Sequence, residues 1–147
     1  MSRRALVLIA FALAGCSATQ IPVADPSPAD RDSCRQLVAV LPPELDGDSD
    51  SGRSEFAAAW GDPQIALRCG VAQPAAYEKT SEMVVVNGVS WFGEEQSDGY
   101  VFTAVGRTPL VEVRVPDSHW PEVNPLVDLA PVMKKQTEVT GPAGVAP

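Results

Sequence analysis

Basic residues are scarce in this 147-residue chain: eleven Lys and Arg stand against nineteen Asp and Glu, a formal net charge of −8. Only Lys79, Lys134 and Lys135 are lysines. With no basic cluster beyond Lys134–Lys135, the chain has no electrostatic footprint for nucleic acid, whose binding depends on cations that neutralise phosphates. Anionic lipid headgroups would repel it too, so membrane contact needs a source other than charge. No apolar run reaches the roughly 18 residues of a membrane-crossing helix, which excludes a multi-span helical membrane protein. Histidine occurs once, at His119, and cysteine three times. One imidazole is too few for a Cys/His metal centre, and any Ser-His-Asp arrangement would have to use it. Gly-rich phosphate loops and dinucleotide fingerprints are missing. The composition leaves one compact domain, with neither cofactor nor metal expected.

The strongest positive pattern is N-terminal. Met1-Ser-Arg-Arg4 is followed by nine apolar residues, Ala5 to Leu13, and then by the small pair Ala14-Gly15. A positive region, a short apolar core and small residues, in that order, describe a secretory signal peptide over 1–15. Leu13-Ala14-Gly15-Cys16 resembles a bacterial lipobox, which implies cleavage before Cys16, diacylglycerol on its thiol and acylation of the new amino group. One buried acyl chain contributes roughly 0.8 kcal/mol per CH₂ and holds only marginally; two or three on one residue anchor stably. The alternative is an ordinary secretory signal with a coincidental cysteine. Once Arg3 and Arg4 are removed, nine basic residues face the same nineteen acidic ones, a balance of −10.

After the lipidated cysteine, residues 16–33 are rich in Ala, Pro, Asp and Ser and lack periodicity, which predicts a flexible tether. About 15 such residues reach roughly 20–25 Å as a coil. Residues 136–147 form a similar unpatterned tail, expected to be disordered. Between them, 34–135 is expected to fold as a small α+β domain. Its first helix is capped by Asp32 or Ser33, turns Leu37, Val38 and Leu41 to one face, and stops at Pro42-Pro43. Leu45 to Arg53 reads as a polar acidic loop, and Glu55 to Trp60 as a short Ala-rich helical turn capped by Ser54. Beyond it the period changes to two. Ile65, Leu67 and Cys69 alternate with polar or small residues, as do Val111, Val113 and Val115. Met83–Val86 and Val89–Phe92 flank Asn87-Gly88, the pair favoured in a type I′ hairpin turn. Tyr100–Val105 adds another strand. These segments predict an antiparallel meander of three to five strands with one or two helices packed on it. The second helix starts at Asn124-Pro125, buries Leu126, Leu129 and Met133, and must kink or split at Pro131.

With Cys16 lipidated, Cys34 and Cys69 remain, an even number in an exported domain. Their pairing as a disulfide would pin the first helix onto the sheet. A redox pair wants C-x-x-C, which this chain lacks.

The motifs that could carry chemistry are weak. Asp46, Asp48 and Asp50 are spaced like positions 1, 3 and 5 of an EF-hand loop. Glycine stands at position 7 instead of 6, however, and Ala57 holds position 12, leaving a solvated acidic loop with at most weak calcium attraction. Gly88-Val-Ser-Trp-Phe-Gly93 is one residue out from a nucleophile elbow, and Ser90 falls inside a predicted strand. His119, in Pro116-Asp-Ser-His-Trp-Pro121, reads as a surface or loop-packing residue. Trp60, Trp91 and Trp120 are either core or partly exposed anchors for a partner, and as the latter they are the candidate binding residues.

Several fragments together resemble the actinobacterial family called domain of unknown function 3515. They are Cys34 with Leu41-Pro42, Ala59-Trp-Gly-Asp-Pro63, Ile65-Ala-Leu-Arg-Cys-Gly-Val71, Val86-Asn-Gly-Val-Ser-Trp91, Val101-Phe-Thr-Ala-Val-Gly-Arg107 and Val111-Glu-Val-Arg-Val-Pro116. The resemblance implies an exported domain with an N-terminal membrane anchor and carries over no catalytic residue. The resulting expectation is a non-catalytic envelope lipoprotein, lipid-anchored at Cys16 outside the cytoplasm, that binds an envelope protein or lipid. One alternative is a carrier or sensor of a small or lipidic ligand. The other is an enzyme relying on His119.

Overall fold

The computed structural model describes residues 21–141. The expected signal peptide, Cys16 and residues 142–147 of the expected tail lie outside the described residues. Helix α1 (Arg31–Ala39) buries Cys34, Leu37 and Val38, the one-face spacing read in the sequence. It begins earlier than expected. Asp30, not Asp32 or Ser33, holds the N-cap position, and its carboxylate accepts a hydrogen bond from Ser27 Oγ (2.7 Å) instead of capping an amide.

Four strands follow: β1 (Glu44–Leu45), β2 (Asp48–Arg53), β3 (Ala57–Trp60) and β4 (Ile65–Cys69), each antiparallel to the next. Two expectations are corrected here. The acidic stretch 45–53 is largely strand, because Asp46 and Gly47 adopt φ of 50° and 82°, the doubly left-handed geometry of a type I′ hairpin. The Ala-rich segment is a strand, not a helical turn. Alanine's helix preference over other ordinary residues is only tenths of a kcal/mol per residue. Ladder pairing with both β2 and β4, together with complete burial of Ala57–Trp60, outweighs it.

The second half of the sheet comprises β5 (Val84–Val86), β6 (Val89–Gln96), β7 (Gly99–Thr103) and β9 (Val111–Pro116). Asn87 and Gly88 make the β5–β6 turn with φ of 47° and 82°, as the sequence predicts. The eight-stranded order is β1-β2-β3-β4-β9-β7-β6-β5. It is antiparallel throughout, but not an uninterrupted meander, because β9 returns to lie between β4 and β7. Short β8 (Arg107–Thr108) pairs instead with β10 (Glu138–Val139). Residues 136–139, expected in the disordered tail, thus complete α2 and pair with the turn after β7.

Helix α2 (Asn124–Gln136) buries Leu126, Leu129, Ala130 and Met133. Pro131 does not split it. Proline leaves the carbonyl four residues earlier unpaired, and that residue, Val127, is on the exposed side with Pro131, where water can satisfy it. Both helices cover one sheet face in a single core that includes Leu37, Trp60, Leu67, Trp91, Val113 and Leu129. Each large apolar side chain so buried stabilises the fold by roughly 1.5–3 kcal/mol. The Cys34–Cys69 disulfide joins α1 to β4.

The outer face is partly covered by the segment expected to be tether. Pro26 is buried, and a Cβ at Gly70 would stand 2.2 Å from its ring. Ile21 similarly occupies the space above Gly52, 2.8 Å from where a Cβ would be. Residues 21–26 therefore lie along the domain.

Candidate functional site

The type I′ turn at Asp46-Gly47 carries Asp46 and Asp48 to the loop after β9, where His119 sits between them. Its Nδ1 is 3.2 Å from Asp46 Oδ2, and its Nε2 is 3.3 Å from Asp48 Oδ2 and 3.5 Å from the Pro63 carbonyl. The imidazole is 12% exposed. Asp46 also reaches α2, its amide donating to Asp128 Oδ2 at 2.9 Å. Gly61 leaves room for this arrangement, since a Cβ there would lie 2.2 Å from Asp48 Oδ2.

Each ring nitrogen faces an acceptor of the protein itself. A neutral imidazole protonates one nitrogen only, while an imidazolium donates from both. The ring is thus held between the two carboxylates of the β1–β2 hairpin. Ser118 is exposed beside it, and Ser90 is buried within β6, a strand interior without the strand-to-helix turn of an elbow. Asp50, the third carboxylate of the calcium-like pattern, is bound to the Arg53 guanidinium and accepts from the Gly52 amide at 2.9 Å. Among the described residues, no group of three or more His, Cys, Asp or Glu is placed to hold a metal ion.

The three tryptophans separate. Trp60 is fully buried with Nε1 donating to the Pro42 carbonyl (3.0 Å), and Trp91 is fully buried in β6. Both are removed as candidate binding residues: their strand positions point them into the core under the helices. Trp120 is 78% exposed beside His119 and remains the surface aromatic.

A further feature was not anticipated from sequence. Between the 73–83 loop, the 105–110 connection and Thr140–Gly141 lies a cleft of about 790 Å³. Tyr77, Met83, Val105 and Leu110 give it an apolar wall, and Lys79, Arg107 and the single carboxylate Glu78 line it as well. Arg107 Nη1 donates to Thr137 Oγ1 (3.0 Å) and to the Thr137 carbonyl (3.2 Å) at the end of α2. Among the described residues it has no carboxylate partner, whereas Arg31, Arg35, Arg53, Arg68 and Arg114 each have at least one. Burial pushes the Arg107 guanidinium below its ordinary pKa, because desolvation disfavours a charge that no anion offsets. Two other clefts, of about 490 and 660 Å³, contain arginines already neutralised: Arg68 by Glu112 at 2.6 Å and Arg114 by Asp98. Nothing local in Gly106-Arg-Thr-Pro109 marks Arg107 out, since its isolation is produced by residues from three separate segments.

Among the described residues, no helix is long and apolar enough to cross a membrane. A family model described as a protein of unknown function (DUF3515) matches residues 4–140. No curated protein and no solved structure matches the chain.

Proposed function

The chain belongs to the DUF3515 family of unknown function, and from that premise we propose that it is an exported, lipid-anchored envelope protein acting as a non-catalytic binding module. The observation that carries the binding reading is Arg107, a half-buried cation with no counter-ion among the described residues, set in an apolar-walled cleft. Engagement of both His119 nitrogens by the protein's own acceptors favours binding over catalysis. The export reading rests on Met1–Cys16, and the Cys34–Cys69 bond suits an oxidising compartment. If Cys16 is the lipid attachment, only four residues, five Cα-to-Cα steps, separate it from Ile21 on the domain. They span at most about 18 Å when extended, so the domain is held closer to the bilayer than a free 15-residue tether would allow.

In-cell crosslinking of the tagged chain, with mass spectrometry of what is captured, tests the module. A reproducible envelope partner that disappears on Cys16→Ala or Trp120→Ala supports it. An empty capture, together with a deletion phenotype that needs His119, overturns it in favour of the enzyme. Fractionation tests the anchor: Cys16→Ala should release or mislocalise the protein, and unchanged membrane retention removes the lipid from the proposal.

A further inference from the structure

We propose that the cleft beside Arg107 is a binding site for a single-chain anionic amphiphile, its acid group received by Arg107 and Lys79 and its chain by Tyr77, Met83, Val105 and Leu110. This deepens the binding-module reading by naming a ligand class, and rests on it.

Charge selects the head group. In a chain of net charge −8, the lining of this cleft carries two cations against one carboxylate. Lys79 is exposed at the surface, while Arg107 is half-buried and holds only neutral oxygens of α2 through Nη1. A guanidinium presents five donors in a planar fork that matches a carboxylate or phosphate. Nη1 alone is engaged by the protein; Nη2 and Nε make no hydrogen bond among the described residues. An incoming anion would supply what Glu112 gives Arg68 and Asp98 gives Arg114.

Shape and polarity select the remainder. A volume of about 790 Å³ falls within the roughly 300–1,000 Å³ of small-molecule sites, which are mostly apolar with a few placed polar groups. Tyr77 is fixed edge-on to Phe92, with ring centroids 5.5 Å apart, so one side of the wall is braced by the sheet. Inorganic anions would satisfy the guanidinium but leave that wall in water. A monomer is favoured over a headgroup still in its bilayer, because the apolar wall needs a chain to cover it.

The test titrates the full chain carrying Cys16→Ser with dodecanoate below its micelle concentration, using calorimetry. Dodecyltrimethylammonium and acetate serve as comparisons, and phosphatidylglycerol vesicles form a separate arm. Saturable dodecanoate binding at one site, at least tenfold tighter than either comparison, is expected. Lys79→Glu should weaken it at least tenfold. Arg107→Gln should do so more strongly, but it also removes contacts that hold the end of α2, so exposed Lys79 is the variant that separates binding from folding. Equal affinity for the cationic amphiphile, equal affinity for acetate, or an unchanged Lys79→Glu titration overturns the proposal. Arg107-dependent binding to vesicles without binding of monomeric dodecanoate also overturns it and assigns the cleft to membrane headgroups. A crosslinked protein partner alongside a failed titration leaves the module reading standing and removes only this ligand class.

Discussion

Asp46 and His119, 73 residues apart in sequence, meet at 3.2 Å and fasten the β1–β2 hairpin to the loop that leads into α2. The contact joins the first strands of the sheet to the segment after the last long one, and Asp48 repeats it from the other side of the ring. His119→Ala should cost about 1–2 kcal/mol in denaturant unfolding, the usual range for a part-buried hydrogen-bonded group. A stability unchanged within error would mean that the bracket is incidental.

Gly61 is required twice at one position. Its φ is +70°, and a methyl group would collide with Asp48 Oδ2. Gly61→Ala should therefore destabilise by more than the roughly 1–2 kcal/mol of the left-handed penalty alone. In an Asp48→Ala background most of the excess should vanish, since only the Cβ of residue 48, at 3.1 Å, remains close, and a double-mutant cycle reads the difference. Additive costs would dissociate Gly61 from the histidine bracket.

The Cys34–Cys69 bond closes a loop across 35 residues of sequence, worth roughly 3–4 kcal/mol in the chain-entropy model. Reduction, or paired Cys→Ala replacement, should lower unfolding free energy by that amount. The intact protein should be two mass units lighter before reduction than after it. Equal masses would contradict the bond directly.

Tyr100 lies opposite Glu95 across β6 and β7. The Glu95 carboxylate raises the phenol's pKa above its ordinary 10.0, with smaller contributions from burial, Glu122 and Asp117. The folded chain keeps this proton where the unfolded chain releases it. The associated stability is thus fully present below about pH 10 and is lost as pH rises through the folded value. Phenolate absorbance in a Tyr77→Phe background should show late ionisation that moves down on Glu95→Gln. Insensitivity to Glu95→Gln would assign the shift elsewhere.

Of the three tryptophans only Trp120 is exposed. Trp120→Phe should remove the fraction of fluorescence readily quenched by acrylamide and leave stability within about 0.5 kcal/mol, as for surface substitutions generally. A large stability loss would place Trp120 in packing that the fold does not otherwise account for.

Strands β4, β6 and β9 and the two helices were legible because their apolar residues recur at the period of the element: Ile65-Leu67-Cys69, Val111-Val113-Val115, Leu126-Leu129-Met133. Asn87-Gly88 was legible because its turn chemistry is local. Asp46-Gly47 offered the same kind of turn pair, but it was obscured by the acidic residues after it, which suggested a cation loop. Ala57–Ala59 misled because alanine favours helix weakly, and strand pairing with two neighbours decides the matter. The bracket around His119 and the unpaired charge of Arg107 were not legible. Each is assembled from segments distant in sequence, and the second consists of a missing partner, which no local pattern encodes.

The disulfide has a topological consequence. It makes residues 34–69 a covalent ring that contains β1, β2, β3 and β4 in full, while β5 to β10 and α2 hang from the ring as a linear branch. A protease that cuts once inside the ring opens it without releasing a fragment, so the product migrates as one piece until reductant is added. A single cut in the 70–83 loop, by contrast, separates two polypeptides held without a covalent link, by the β4–β9 ladder, the shared core and polar contacts such as those of Asp46 and Asp48 with His119. The two halves of the sheet thus differ in what one broken peptide bond does to them, and limited proteolysis on paired reducing and non-reducing gels would show which half was cut.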